Sequence, residues 1–155
     1  MGQLVNIGIV GHEAAKFNVY TEAVAKQAIR RILGLFEYPQ LVSGHCHLGG
    51  IDIWAEEIAD KGGISKIIHP PDKLQWSGGY RERNLKIARD SDIVYVLVVD
   101  KYPVGYSGMR FDYCYHCNTS DHIKSGGCWT GKEAKKLGKP VVWYIMPQVE
   151  IREVS

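Results

Sequence analysis

No apolar run in this sequence approaches the roughly 20 residues of a membrane-spanning helix, so no membrane partner is expected. The opening residues, Met1-Gly2-Gln3-Leu4-Val5-Asn6, lack the basic region and cleavage site of a secretory leader, and a cytoplasmic protein is expected. Charge of one sign is not in excess. Lys and Arg number 19 against 17 Asp and Glu, and a net +2 is too mild to demand nucleic acid. Internal repeats, linkers and low-complexity segments are absent. With 45% hydrophobic and 23% charged residues, disordered and collagen-like chains are excluded. The 155 residues predict one domain, 1–155, able to bury a core without disulfides or metal. Cysteine is scarce and uneven: Cys46 stands alone, whereas Cys114, Cys117 and Cys128 fall close together. In a reducing compartment such a cluster reads as metal ligands or unpaired thiols before disulfides.

What is present is an alternation of apolar strands and amphipathic helices. Leu4 to Val10, closed by Gly11, predicts a buried strand. A helix from about Val19 to Phe36 follows, because Ala25, Ala28, Ile29, Ile32, Leu33 and Phe36 share one face. Gln40 to Ser43 predicts the second strand, about Gly50 to Asp60 the second helix, and Ser65 to His69 the third strand. Tyr80 to Arg89 reads as helical, and Asp92 to Val99 is the strongest strand pattern. A last helix from about Cys128 to Leu137 and a strand from Val141 to Met146 complete the series. Five such strands predict an α/β three-layer sandwich with a parallel sheet covered on both faces. The expected order is Rossmann-like, 3-2-1-4-5, with a long loop inserted after the fourth strand. A ligand crevice then belongs at the carboxyl ends of strands one and four.

Three loops at that edge are rich in glycine and polar residues. They are Gly11-His12-Glu13, then Ser43-Gly44-His45-Cys46-His47-Leu48-Gly49-Gly50-Ile51-Asp52, and Ser125-Gly126-Gly127-Cys128-Trp129-Thr130. Glycines that open a helix let backbone N–H groups approach an anion, which the helix dipole also favours. A phosphate-bearing small molecule is the ligand class this pattern suggests.

The same residues resemble a family. Ser43-Gly44, Gly50-Ile51-Asp52 and Ala55 to Ala59 resemble the S-G-x-A-x-G-I-D signature of DNA-processing protein A. Ser125 to Glu133 resembles the P-G-G-x-G-T-x-x-E signature of the Lonely-guy (LOG) phosphoribohydrolases, with Ser125 in place of proline and Trp129 in place of the third glycine. Arg83-Asn84, Ile87 and Ser91-Asp92 resemble the R-K…M…S-D of that family and the R-N of DNA-processing protein A. The ordered set, over about Val5 to Met146, resembles the SLOG superfamily. The resemblance implies a domain that binds nucleotides or their derivatives and forms a homo-oligomer. Some members cleave an N-glycosidic bond, with a glutamate matching Glu133 and an arginine matching Arg83. The ligand-binding set it implies, together with the loops above, is Gly11, His12, Ser43, Gly44, Gly49, Gly50, Asp52, Asn84, Ser125, Gly126, Gly127, Trp129 and Thr130. Hydrolysis of a nucleoside 5′-monophosphate, with Glu133 stabilising an oxocarbenium-like state and Arg83 holding phosphate, is one expectation. A non-catalytic nucleotide sensor and a binder of single-stranded DNA are the others. No organic cofactor is required.

The stretch from Asp100 to Ser125 is 26 residues long, where about 2 to 6 are usual. With Cys128 it carries Cys114, Cys117, His122 and Cys128 in a C-x2-C-x4-H-x5-C spacing, one residue longer than a zinc knuckle. Thiolates and imidazole suit tetrahedral zinc, with His116 as an alternative fourth ligand. The competing expectation is an aromatic lid with free thiols, Cys128 lining the nucleotide site. From Arg110 to Lys139, six basic residues stand against three acids, a modest patch.

Overall fold

The computed structural model describes residues 2–148. Its strands are β1 (Val5–Gly11), β2 (Pro39–Ser43), β3 (Ser65–Ile68), β4 (Ile93–Val99) and β5 (Val141–Met146). The α-helices are α1 (Val19–Gly34), α2 (Ile51–Lys61), α3 (Arg81–Asp90) and α4 (Gly126–Lys136). The sheet order is β3-β2-β1-β4-β5, and every pairing is parallel. This is the α/β Rossmann-like architecture that the sequence predicts.

Alternation along the strands divides the core in two. Ile7 and Ile9 of β1, with Tyr95, Leu97 and Val99 of β4, pack against Ala25, Ile29 and Ile32 of α1 and Ala55 of α2. Val10, Val94, Val96 and Val98 face the other way, toward Ile87 and Ala88 of α3 and Cys128 and Ala134 of α4. β1 and β4 are buried on both faces, which is why they read as continuous apolar runs.

Helix ends follow their caps. Asn18 Oδ1 accepts from Tyr20 N at 2.9 Å and Thr21 N at 3.0 Å, and Asn18 N donates back to Thr21 Oγ1 at 2.9 Å. α1 stops at Gly34 rather than Phe36, consistent with glycine's poor helix propensity. α4 starts at Gly126, two residues earlier than the apolar pattern predicts, because Ser125 Oγ accepts from Gly127 N at 3.1 Å. A periodicity count misses that start, since the glycines of this first turn carry no apolar side chain.

Two glycines set the approach of α4 to the sheet. A Cβ on Gly11 would stand 2.0 Å from the Leu97 carbonyl oxygen and 2.9 Å from Ile51 Cγ1. A Cβ on Gly127 would stand 2.9 Å from Gly11 N. The end of β1 and the first turn of α4 therefore touch through backbone alone. Gly11→Ala must push β1 off β4 and should cost about 1–3 kcal/mol of stability, the usual range for overpacking. A urea titration that places the variant's midpoint at the wild-type value would contradict this packing.

Candidate functional site

A cleft of about 930 Å³ opens at the carboxyl edge of the sheet, over β1, α3 and α4 and beneath the long segment that follows β4. Its floor includes Gly11, His12, Asp52, Arg83, Asn84 and Thr130. Ser125, Gly126 and Gly127, the cap and first turn of α4, also line it. The α4 N-terminus thus contributes positive dipole to the cleft. Lys124 precedes that turn, and Arg83 comes from α3.

His12 is the pin between the floor and the overlying segment. Its Nδ1 accepts from Val99 N at 3.1 Å, so Nε2 carries the proton and donates to the Lys124 carbonyl at 2.9 Å. Burial lowers its pKa to about 4, with the Lys16 and His122 charges adding to the effect, so the ring is neutral at pH 7. Asp52 sits in the first turn of α2 and accepts from Cys46 N at 3.1 Å. Burial raises its pKa to about 6, against the lowering pull of the Arg83 guanidinium. Arg83 Nε donates to Asn84 Oδ1 at 2.7 Å, and Nη1 to the Gly44 carbonyl at 2.5 Å. The guanidinium also lies over the Tyr80 ring, 5.3 Å from its centroid.

The cleft walls are aromatic. Trp76, in the wide turn Trp76–Tyr80 before α3, meets Trp129 of α4 edge to face at 4.9 Å. On the other side Tyr102 and Tyr106 stack at 4.5 Å, and the Tyr102 hydroxyl accepts from Phe111 N at 2.6 Å. The Lys124 ammonium lies 4.7 Å from the Phe111 ring and 5.2 Å from that of Tyr115. The expected aromatic lid is thus present, with Tyr102, Tyr106, Phe111 and Tyr115 among its rings. Sequence reasoning did not assign Trp76, Tyr80, Lys16 or Lys124 to the site, and nothing in their local sequence signals the convergence.

Behind the cleft wall, Cys114, Cys117, His122 and Cys128 converge, with one ligand atom from each lying within 4.8 Å of all the others. Cys114, His122 and Cys128 are buried and Cys117 is half-buried. Cys114 and Thr119 form an antiparallel bridge around a tight turn in which Asn118 has φ 58°. His122 Nδ1 bonds Asp121 Oδ1 at 2.6 Å, which leaves Nε2 facing Cys128 Sγ at 3.4 Å. Burial pushes the Cys117 and Cys128 thiols up, an effect that a bound cation would oppose by favouring their thiolates. The cluster is compatible with a metal site. It brings the segment back against α4, and His116 stays outside the set, lining the cleft instead.

The remaining sequence-selected residues are dispersed. Ser43, Gly44, Gly49 and Gly50 are not among the cleft-lining residues. Ser43 Oγ is buried and donates to Glu56 Oε2 at 2.8 Å, while Gly50 caps α2 at φ 86°. Glu56 of α2 is buried and also bonds His45 Nδ1 at 2.6 Å. Glu133 does not line the cleft; its carboxylate pairs with Lys136 at 3.0 Å.

No family model matches the chain, and no curated protein matches it. A solved structure of the molybdenum cofactor carrier protein from Chlamydomonas reinhardtii is similar, with a TM-score of 0.57 and 18% identity over 91% of this chain and 76% of that one. The likeness establishes a shared fold. No described helix is long and apolar enough to cross a membrane.

The two buried titrations in the floor act with opposite sign. Asp52 has a folded pKa of about 6, above the ordinary 3.8 of an aspartate, so its ionisation destabilises the fold progressively as pH rises through that window. His12 has a folded pKa of about 4, below 6.5, so its contribution is lost as pH falls from 6.5 to 4. Asp52→Asn should therefore raise stability at pH 7.5, by up to about 3 kcal/mol at 1.36 kcal/mol per pKa unit. The variant should also lose stability more steeply than wild type between pH 6.5 and 4, where His12 acts unopposed. Denaturant midpoints across that range check both; parallel pH curves for the two proteins would refute the assignment.

Proposed function

We propose that this chain is a member of the SLOG superfamily that binds a phosphorylated nucleotide or nucleotide-like molecule without cleaving it. The observation that carries the reading is the Ser125–Gly127 turn, which opens the N-terminus of α4 into an aromatic-walled cleft beside Arg83 and Lys124. Helix N-terminal amides suit a phosphate, and Trp76, Trp129 and the tyrosines suit a planar ring. The similar solved structure is of a carrier protein for a small cofactor, in keeping with binding. The position of Glu133 outside the cleft lining favours binding over glycoside hydrolysis, since an oxocarbenium-like state needs its carboxylate beside the sugar.

In this reading the Cys114, Cys117, His122 and Cys128 cluster holds zinc. Three thiols and one imidazole form a soft tetrahedral donor set. Thiolates at about 2.3 Å from zinc stand about 3.8 Å apart in a tetrahedron. The observed 4.8 Å limit on the ligand-atom separations needs only a small contraction to reach that geometry.

A panel of nucleoside monophosphates at millimolar concentration should raise the melting temperature, and the matching nucleosides should do so far less. Trp129→Ala should weaken binding about 5- to 150-fold, the range for one lost ring stack of about 1–3 kcal/mol. Glu133→Gln should bind as wild type does, and chromatography should find no free base released. A panel without any shift would end the binding reading, whereas base release abolished by Glu133→Gln would replace it with the phosphoribohydrolase reading.

Purified protein should contain about one zinc per chain by elemental analysis. Chelation should loosen the segment after β4 and weaken nucleotide binding while far-UV circular dichroism stays native, because the core between the sheet, α1 and α2 contains none of the four ligands. Protein purified without metal, with the segment equally protected from proteolysis before and after chelator, would refute the zinc assignment.

A further inference from the structure

The Cys/His cluster has a neighbour that sequence analysis did not single out. Trp143 stands on β5, the edge strand of the sheet, and packs against the part of the core that contains Cys114 and Cys128. Its indole Nε1 is shielded from solvent and has no hydrogen-bond partner among the described residues. A buried donor left unpaired costs about 1–3 kcal/mol, so its retention calls for an acceptor. The acceptors this packing offers are the sulfurs of the Cys/His cluster: Cys128 lies in the core group that Trp143 packs against, and no hydrogen bond to it is formed without an ion. A neutral thiol is a weak acceptor, whereas a metal-bound thiolate is a strong one.

Other groups around the cluster fit the same arrangement. Asp121 fixes the His122 ring through Nδ1, so that Nε2 points to the common centre. Carboxylate–histidine–metal triads have this form. Three thiolates and a divalent cation leave the centre with one net negative charge. Lys132 lies against Cys117 with a charge that favours its thiolate, and its ammonium is held by the His116 carbonyl. A second groove of about 570 Å³ reaches Cys117, His122, Lys132 and Trp143 together. The indole and the ammonium thus share one groove with the cluster that would carry this negative charge.

We propose that Trp143 is a positioning residue of the metal centre, its indole N–H donating to the metal-bound Cys128 thiolate. The assignment rests on the zinc reading above and adds to it the group that sets the electron density of one sulfur. An N–H donor on a thiolate lowers the energy of the sulfur lone pair. It thereby raises the energy of the sulfur-to-metal charge-transfer band and strengthens retention of the ion. Outer-shell partners of this kind typically contribute about 10- to 100-fold in metal affinity.

The test uses the full chain loaded with cobalt(II) in place of zinc, which reports thiolate bonding through its near-ultraviolet charge-transfer absorption. Trp143→Phe keeps the ring and deletes the donor. The band should move to longer wavelength, and competition with a chelator should show affinity about 10- to 100-fold lower. Circular dichroism should stay native, because Trp143 is a partly exposed residue of an edge strand. A second measurement needs no variant: the wild-type Trp143 indole proton should move downfield on loading with cadmium(II), as a new hydrogen bond requires. A cobalt-loaded Trp143→Phe protein with an unchanged band and affinity would overturn the assignment alone, as would an indole proton indifferent to cadmium. Wild-type protein that takes up no cobalt would overturn the zinc reading along with it.

Discussion

The site depends on a constraint of topology. β1 and β4 are neighbours in the sheet, yet the chain leaves them toward opposite faces, β1 into α1 and β4 toward α4. Parallel strands with right-handed crossovers leave a crevice where the connections diverge. The crevice becomes a site only if backbone can reach its floor, and here Gly11 and Gly127 permit that contact. His12, one residue past Gly11, then closes the geometry by bonding both the last residue of β4 and the carbonyl of Lys124. Burial of the imidazole keeps it neutral, and a neutral ring can accept at one nitrogen while donating at the other.

The segment between β4 and α4 is the part of the molecule least supported by regular secondary structure. Its order comes from separate anchors instead. Ile123 and Tyr102 are buried in the core on the α1 side. Ile123 N donates to the Val99 carbonyl at 3.3 Å, and Lys124 N to the Phe111 carbonyl at 3.2 Å. The Cys/His cluster fastens the middle of the segment, which otherwise presents exposed Val104, Met109, Phe111, Tyr113 and Tyr115. Apolar side chains held at the surface by a few polar anchors suit a cover over a ligand better than they suit a permanent core.

The fold was legible because strand burial leaves an unambiguous pattern. Asp92 to Val99 has no polar residue after its first position, so both faces had to be covered, and the glycines after Val10 and Ser43 marked the strand ends. The site was legible only where chemistry is local. Cys114-x-x-Cys117 belongs to a short stretch and converges with His122 and Cys128 as its spacing implies, whereas the cap at Ser125 was hidden by the glycines that follow it. The contacts across the molecule were not legible. Arg83 reaches the Gly44 carbonyl 39 residues away, and His12 reaches Lys124 across 112. No periodicity encodes such pairs, and Trp143 read as an ordinary apolar strand residue until its orphaned N–H could be seen. Glu133 shows the converse: spacing matches a signature, but a side chain's direction depends on helix phase and on its neighbours, here Lys136.

The first turns of α4 also explain why the cleft and the Cys/His cluster lie back to back. Residues three and four apart share a helix face, so Gly126, Trp129 and Thr130 look into the cleft together. Cys128, about 200° round the helix from Gly126 at 100° per residue, points to the other side and joins the Cys/His cluster. Its own N–H bonds the Ser125 carbonyl at 3.1 Å, the cap residue whose hydroxyl also holds Gly127 N. A displacement of Cys128 would therefore be carried into the turn whose amides open into the cleft. Helical backbone is stiff over a single turn, whereas the segment above it is not. An ion held by Cys128 and the cover together would thus make the position of the cover and the position of the amides a single variable.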